Sequence, residues 1–289
     1  MSKVGFSLLR GICQLPAYVA FEKGFFKVEG IDADLEIAAT ATLVPDKLSS
    51  GRREFAVMPW TRVAAGQTEG LSLLLLAGSG CEEAAIVVRQ GIDPSKVRKV
   101  AIPLRGGIKD LTAMGLIKSL GWNDIELVRQ PSGDGAILAL VGQGADAASM
   151  VEPYATMMEA LEIGTIVRRT GDLWKGAPGC SLTTTVDFRN QAPKVVAGVV
   201  RGFCRGAAFV HENPDEASEI GAQYIAANPR FIRAALEKNR PNVNALHNRE
   251  TMDAILHLMM ELGYIAKRPV DYLDLSFLHR AEADLQAAR

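Results

Sequence analysis

The chain has 289 residues, 48% of them hydrophobic, and a formal net charge of −1. That length supports one large or two small domains around a sizeable core, and the near-neutral charge gives no general electrostatic case for nucleic acid or an anionic membrane as partner. No apolar run approaches the ~18 residues that span a bilayer, so membrane insertion is not expected.

Taken in order, the N-terminus MSKVGFSLLRG passes straight into a strand pattern, without a signal peptide's apolar core or small-residue cleavage site. On its own it reads as the start of a cytoplasmic protein, or of a mature form whose leader has been replaced by Met. Lys3–Leu9 is a short apolar run, read as a buried strand, and Arg10–Gln14 is the loop after it. Pro16 sits where a helix takes its first residue, because its missing N–H would go unpaired there anyway. Tyr18, Val19, Phe21, Phe25 and Phe26 recur at helical spacing, with Gly24 and Gly30 as stops. Ile31–Ile37 alternates apolar and polar, the pattern of a strand with one covered face. Thr40–Thr42 is placed to cap the next helix or to meet a ligand. Leu43–Leu48 reads as a short helix, Glu54–Met58 as a third strand, Pro59-Trp60-Thr61 as the loop after it, and Leu71–Leu76 as a fourth strand closing on Gly78-Ser79-Gly80. Strand–helix–strand units of this size imply a parallel sheet.

Ala84–Val88 is a further strand, read as the outbound crossing to a second domain. There Lys99–Ile102, Ile125–Arg129 and Ala145–Met150 are predicted strands, Asp110–Gly121 and Ser132–Gly142 predicted helices, and Glu152-Pro153-Tyr154 opens another helix. The β-branched run Cys180–Val186 is the return crossing. Helices follow at Pro193–Val210, after Asn213-Pro214-Asp215-Glu216 with Asn213 as N-cap, and at Thr251–Leu262, while Tyr272–Leu285 docks the C-terminus back. The expected fold is α/β with two lobes, each a mostly parallel sheet flanked by helices. Lobe I takes residues 1–84 plus 187–289 and lobe II residues 85–186, with crossings near 84–88 and 180–186.

The pattern P-x-Y-V-A-x-E-x-G-F-F-x-x-E-G-I-x-A-x-L at Pro16–Leu35 closely resembles the opening of the sulfonate-, taurine-, nitrate- and thiamine-precursor-binding proteins of ABC transporters. V-G-Q-G-A-D-A-A-S-M-V-E-P-Y at Val141–Tyr154 and E-N-P-D-E-A at Glu212–Ala217 extend the likeness as sparse anchors over nearly the whole chain. The resemblance implies a type II periplasmic-binding-protein fold that holds a small organic anion or ring-bearing ligand between its lobes. It also implies a periplasmic location and an ABC permease as partner. The expected form is a monomer without cofactor or metal.

In open parallel sheets, ligands sit outside the carboxyl ends of the strands. The candidate ligand-binding residues are therefore in post-strand loops: Arg10, Cys13 and Gln14; Thr40 and Thr42; Pro59, Trp60 and Thr61; Ser79; Arg105, Gly106 and Gly107; Gln130; and Glu152 and Tyr154. Arg105-Gly106-Gly107 is the clearest anion signal, combining close backbone approach, a following helix start and a guanidinium fork. Related proteins commonly carry Ser or Thr beside that glycine, and Gly107-Ile108 lacks it. Trp60 is suited to stacking on a flat ligand ring or to covering the core. Glu152 resembles an acid that is often structural.

The four cysteines, Cys13, Cys81, Cys180 and Cys204, show no CxxC pair and no metal spacing. Cys204 falls in a helical apolar pattern and reads as core. Cys13-Gln14-Leu15-Pro16 resembles the Cys-x-x-Pro of an aromatic sulfinate desulfinase on this fold, and a thiol before a helix start can have a lowered pKa. That reading makes Cys13 a nucleophile in a cytosolic enzyme. The same fold also hosts decarboxylase chemistry, and a cytosolic ligand sensor would share the cleft without any chemistry.

Overall fold

The computed structural model describes residues 1–105, 108–130 and 133–287. Its strands are β1 (Ser2–Leu8), β2 (Ile31–Ile37), β3 (Phe55–Pro59), β4 (Leu73–Gly78), β5 (Ala84–Arg89), β6 (Lys99–Pro103), β7 (Glu126–Gln130), β8 (Ala147–Val151), β9 (Gly164–Arg169) and β10 (Cys180–Thr185). Among the described residues they form two five-stranded sheets, in the orders β2-β1-β3-β10-β4 and β7-β6-β8-β5-β9.

Both sheets are mostly parallel, as the strand–helix–strand units imply, and each includes one strand that runs against the others. β1, β2 and β3 pair in parallel, but the returning strand β10 runs antiparallel between β3 and β4. In the second sheet β6, β7 and β8 are parallel, while β5 runs antiparallel between β8 and β9. The reason is geometric. A strand that leaves one sheet for the next, or returns from it, enters from the carboxyl edge and has to run backwards.

Each strand forms where the pattern dictates. β3 and β4 are buried along their whole length and read as continuous apolar runs. In the first core Phe6 stacks between Phe26 and Phe55, with ring centroids 5.0 and 5.4 Å away. A second, smaller core gathers Ile86, Val88, Val100, Ile102, Leu116 and Ile117.

The first helix, Leu15–Glu22, carries Pro16 in its first turn as predicted, and Gly24 and Gly30 take left-handed φ values of 71° and 75°. It packs against the long helix Pro193–Glu212. Gly206 permits that contact, since a Cβ there would lie 2.1 Å from the carbonyl oxygen of Pro16. Cys204 lies in the core on the same helix. Asn213 precedes the helix Pro214–Ile225 as expected, but its side chain makes no cap hydrogen bond and its amide reaches back to the carbonyl of Phe209. Elements beyond the sequence expectation include the helix Trp60–Thr68, β9 and the helix Pro229–Lys238. The C-terminal segment docks through a parallel bridge of Leu273 on Leu75. No helix among the described residues is long and apolar enough to cross a membrane.

Candidate functional site

The carboxyl edges of the two sheets meet where the chain crosses between them. In register, Cys180 at the start of β10 lies opposite Pro59 at the end of β3, and Ser181 opposite Gly78 at the end of β4. Ala84 at the start of β5 lies opposite Val151 at the end of β8. The loop after β1 closes this floor: the N–H of Ile12 donates to the carbonyl of Glu152 at 3.1 Å, and the Ser79 hydroxyl donates to the carbonyl of Cys13.

Most of the loop residues predicted to meet ligand here are committed to the protein. Gln14 is buried, accepts the N–H of Leu9 at 3.1 Å and donates to the Cys13 sulfur at 3.3 Å. Glu152 pairs with Arg169 at 2.5 Å and accepts the N–H of Thr156 at 3.0 Å. The Tyr154 hydroxyl donates to the carbonyl of Ile225 at 2.8 Å.

Pro59-Trp60-Thr61 is not a loop, which is a second correction. Pro59 ends β3, and Trp60 and Thr61 open the helix Trp60–Thr68. Trp60 is fully buried and its indole N–H donates to the carbonyl of Pro178 at 2.9 Å, so the ring covers the core and offers no face for stacking a ligand. Thr40 caps the turn Ala41–Leu43 by accepting the N–H of Thr42. Gln130 ends β7 with its side chain against Gly135, and Arg10 is exposed beside the floor. Gly106 and Gly107 lie outside the described residues.

A pocket of about 440 Å³ opens between elements of both sheets. Its walls come from Thr42, Pro45 and Asp46, from Arg62 and Gly66 on the helix Trp60–Thr68 and Glu69 just after it, from Arg105 after β6, and from Gly263 and Tyr264. Arg105 donates to the carbonyl of Leu262 at 2.5 Å and sits over the Tyr264 ring, 4.5 Å from its centroid. The Tyr264 hydroxyl donates to Asp110 at 2.5 Å, and Asp110, fully buried, also pairs with Arg129.

Arg62, which sequence reasoning missed, is half-buried in this wall. One of its terminal nitrogens donates to the carbonyl of Arg105 at 3.3 Å, while its Nε is buried and makes no hydrogen bond among the described residues. Burial pulls this guanidinium below its ordinary pKa, with Asp110 acting in the opposite direction. The carboxylates of Asp46 and Glu69 belong to exposed residues and are screened by solvent. A second pocket, of about 390 Å³, lies between the helices Ile108–Ser119 and Arg249–Glu261 and is lined by Leu173, Trp174 and His257.

Cys13 does not match the activated thiol expected of a nucleophile. A hydrogen bond from the Cys180 thiol works to lower its pKa, but burial and the neighbouring Glu83 outweigh it, and the thiol is raised above its ordinary value. The side chains that act on it are those of Gln14, Cys180 and Glu83. The rings of His247 and His279 stack on one another elsewhere, with centroids 5.3 Å apart.

Two helix-flanked mixed sheets, joined by antiparallel crossing strands with their carboxyl edges facing, define the type II fold of periplasmic solute-binding proteins. The ligand-binding component of an ABC-type import system from Staphylococcus aureus, solved with zinc bound, superposes with a TM-score of 0.85 at 15% identity, over 97% of this chain and 99% of that one. The periplasmic nitrate-binding protein NrtA from Synechocystis PCC 6803 superposes with a TM-score of 0.84 at 15% identity, over 99% and 90%. The alkanesulfonate-binding protein SsuA from Xanthomonas axonopodis pv. citri, bound to MOPS, gives 0.80 at 12% identity, over 95% and 98%.

The chain belongs to the NMT1-like family, whose profile matches residues 2–226. A curated relative, the riboflavin-binding protein RibY of Chloroflexus aurantiacus, is 24% identical over 230 residues, 73% of this chain. The chain spans 62% of that relative's length.

Proposed function

We propose that this protein is the solute-binding component of an ABC-type uptake system and closes on a small organic anion, of the sulfonate or aromatic-acid class, between its lobes. The observation that carries the reading is Arg62. A half-buried guanidinium whose buried Nε–H makes no hydrogen bond among the described residues, beside a second arginine, in a pocket walled by both lobes, is a donor set suited to an acceptor. An anionic ligand would supply it through charge-assisted hydrogen bonds.

The volume falls within the few hundred cubic ångströms usual for small-molecule sites, and the apolar stems of Pro45, Ala65 and Leu71 leave room for a ring or short tail. The riboflavin-binding relative supports a ring-bearing ligand, and the sulfonate- and nitrate-binding structural neighbours support an anionic one.

In this reading lobe I comprises residues 1–84 and 187–289 and lobe II residues 85–186. Closure is a hinge motion at the crossings near 84–88 and 180–186, and the closed monomer delivers its ligand to a permease in the periplasm. Arg105 on Leu262 and Tyr264 on Asp110 then act as latches, since each joins one lobe to the other.

The test is a thermal-shift series with alkanesulfonates, aromatic carboxylates, pyrimidines and riboflavin, followed by calorimetry on any that stabilise. A ligand that binds the native state only raises stability by about 2.7 kcal/mol at 100 times its Kd. If no member of these classes moves the melting temperature, the reading is abandoned.

A further inference from the structure

Outside the arginine pocket, three potential metal ligands converge on the floor where the crossings meet. The sulfurs of Cys13 and Cys180 and a carboxylate oxygen of Glu83 all lie within 4.8 Å of one another, and all three residues are buried. They come from three separate stretches, the loop after β1, the residue before β5 and the first residue of β10, so the cluster exists only in the folded chain.

The surrounding backbone is shaped to admit it. A Cβ at Gly80 would fall 1.9 Å from a Glu83 carboxylate oxygen and 3.0 Å from the Cys13 Cβ, and one at Gly179 would fall 2.5 Å from the Glu83 carboxyl carbon. Only glycine leaves the carboxylate its place. The N–H of Cys180 donates to one Glu83 oxygen at 3.2 Å and aims the carboxylate toward the thiols.

We propose that Cys13, Glu83 and Cys180 form a site for one thiophilic divalent cation of the zinc class, with the fourth coordination position left to solvent. Two sulfurs and one carboxylate suit a four-coordinate, borderline-soft ion. They exclude calcium and magnesium, which need six or more oxygens. An ordinary cysteine thiol is protonated at neutral pH. Binding therefore releases protons to the medium as two S–H bonds are exchanged for two metal–sulfur bonds. Because the ligands join the first loop to both crossings, the bound ion ties the hinge at its pivot. This site is separate from the arginine pocket and stands whatever that pocket holds.

The experiment uses the full chain, stripped with a chelator and titrated with zinc chloride and, in parallel, cadmium chloride. The expected result is saturation at one equivalent, release of roughly two protons per ion, and a cadmium–thiolate charge-transfer band. Cys13→Ser, Cys180→Ser and Glu83→Gln should each weaken binding by at least about 100-fold, more than the loss of an outer-shell partner, while Cys81→Ser should bind as the parent does.

In the parent protein, zinc should also protect Cys13 and Cys180, and not Cys81, from alkylation read by mass spectrometry. That readout needs no variant and decides the matter should a substitution disturb folding. Absence of saturable binding by the folded parent, or protection that falls on cysteines other than Cys13 and Cys180, overturns the proposal.

Discussion

Where the two crossings meet, nearly every predicted site residue is already engaged: Gln14 with Leu9 and Cys13, Glu152 with Arg169 and Thr156, Tyr154 with Ile225, Trp60 with Pro178. In the arginine pocket the balance is reversed. Among the described residues the Nε–H of Arg62 makes no hydrogen bond, and Arg105 is exposed, donating to a carbonyl and lying over an aromatic face. The difference teaches that a residue at the end of a strand can be taken up by the protein's own hydrogen bonds. The floor uses strand-end residues to hold the carboxyl edges of the two sheets together. The pocket combines a helix, a late segment and the stretches after β2 and β6, and leaves donors facing a cavity. Substitutions on the floor should therefore cost stability, and substitutions in the pocket should cost binding.

The largest effect is expected at Trp60. Trp60→Ala should lower unfolding stability by about 3–5 kcal/mol through the cavity it opens, measured by denaturant titration, with ligand affinity per folded molecule unchanged. A loss of affinity without loss of stability would collapse the distinction between floor and pocket. Next is Arg169→Ala, which strands the buried Glu152 carboxylate and should cost about 3 kcal/mol. Glu152→Gln combined with Arg169→Ala should recover part of that loss in a double-mutant cycle.

Arg62→Ala should weaken the ligand identified by thermal shift by roughly 10- to 100-fold, the worth of a charge-assisted hydrogen bond, while the ligand-free melting temperature holds or rises. A clear fall in that temperature would place Arg62 with the floor.

A pH effect comes from Cys204, whose thiol is pushed up to about 12, by burial first and then by the nearby Glu282. The unfolded chain ionises this thiol at about pH 8.5, while the folded chain keeps the proton. Between those values the native state binds more protons, so stability falls as pH rises. The loss should reach about 2 kcal/mol by pH 10, and Cys204→Ala should flatten that part of the profile. The smallest effect is expected for Tyr264→Phe, which removes one hydrogen bond to Asp110 and should cost about 1 kcal/mol. It should act on the closed state and so appear in the ligand off-rate more than in the on-rate.

The strands and first helix were legible because their signals are local: continuous apolar runs for β3 and β4, alternation for β2, and Pro16 between a loop and a helical pattern. β9 escaped because GTIVRR is a half-exposed edge strand whose charged end carries little apolar pattern. The helix Pro229–Lys238 carries the same Asn-Pro start signal as its neighbour, at Asn228 and Pro229, and that signal would have found it. Trp60 was misplaced because Pro59 suggested a loop where the chain passes directly from strand to helix.

Arg62 gave no local sign, since a guanidinium on a helix is ordinarily a solvated charge and only the fold shows which one is half-buried. Cys13, Glu83 and Cys180 share no spacing that a linear reading detects, because their proximity depends on two strands leaving and returning at one edge.

The position of β10 has a consequence for synthesis. It lies between β3 and β4, so as the chain leaves the ribosome those two strands have no common partner until residue 185 has been made. All five strands of the other sheet are complete by then. A nascent chain halted before Cys180 would hold one finished half and one with two raw edges, and its fate would rest with whatever shields those edges until the last strand arrives.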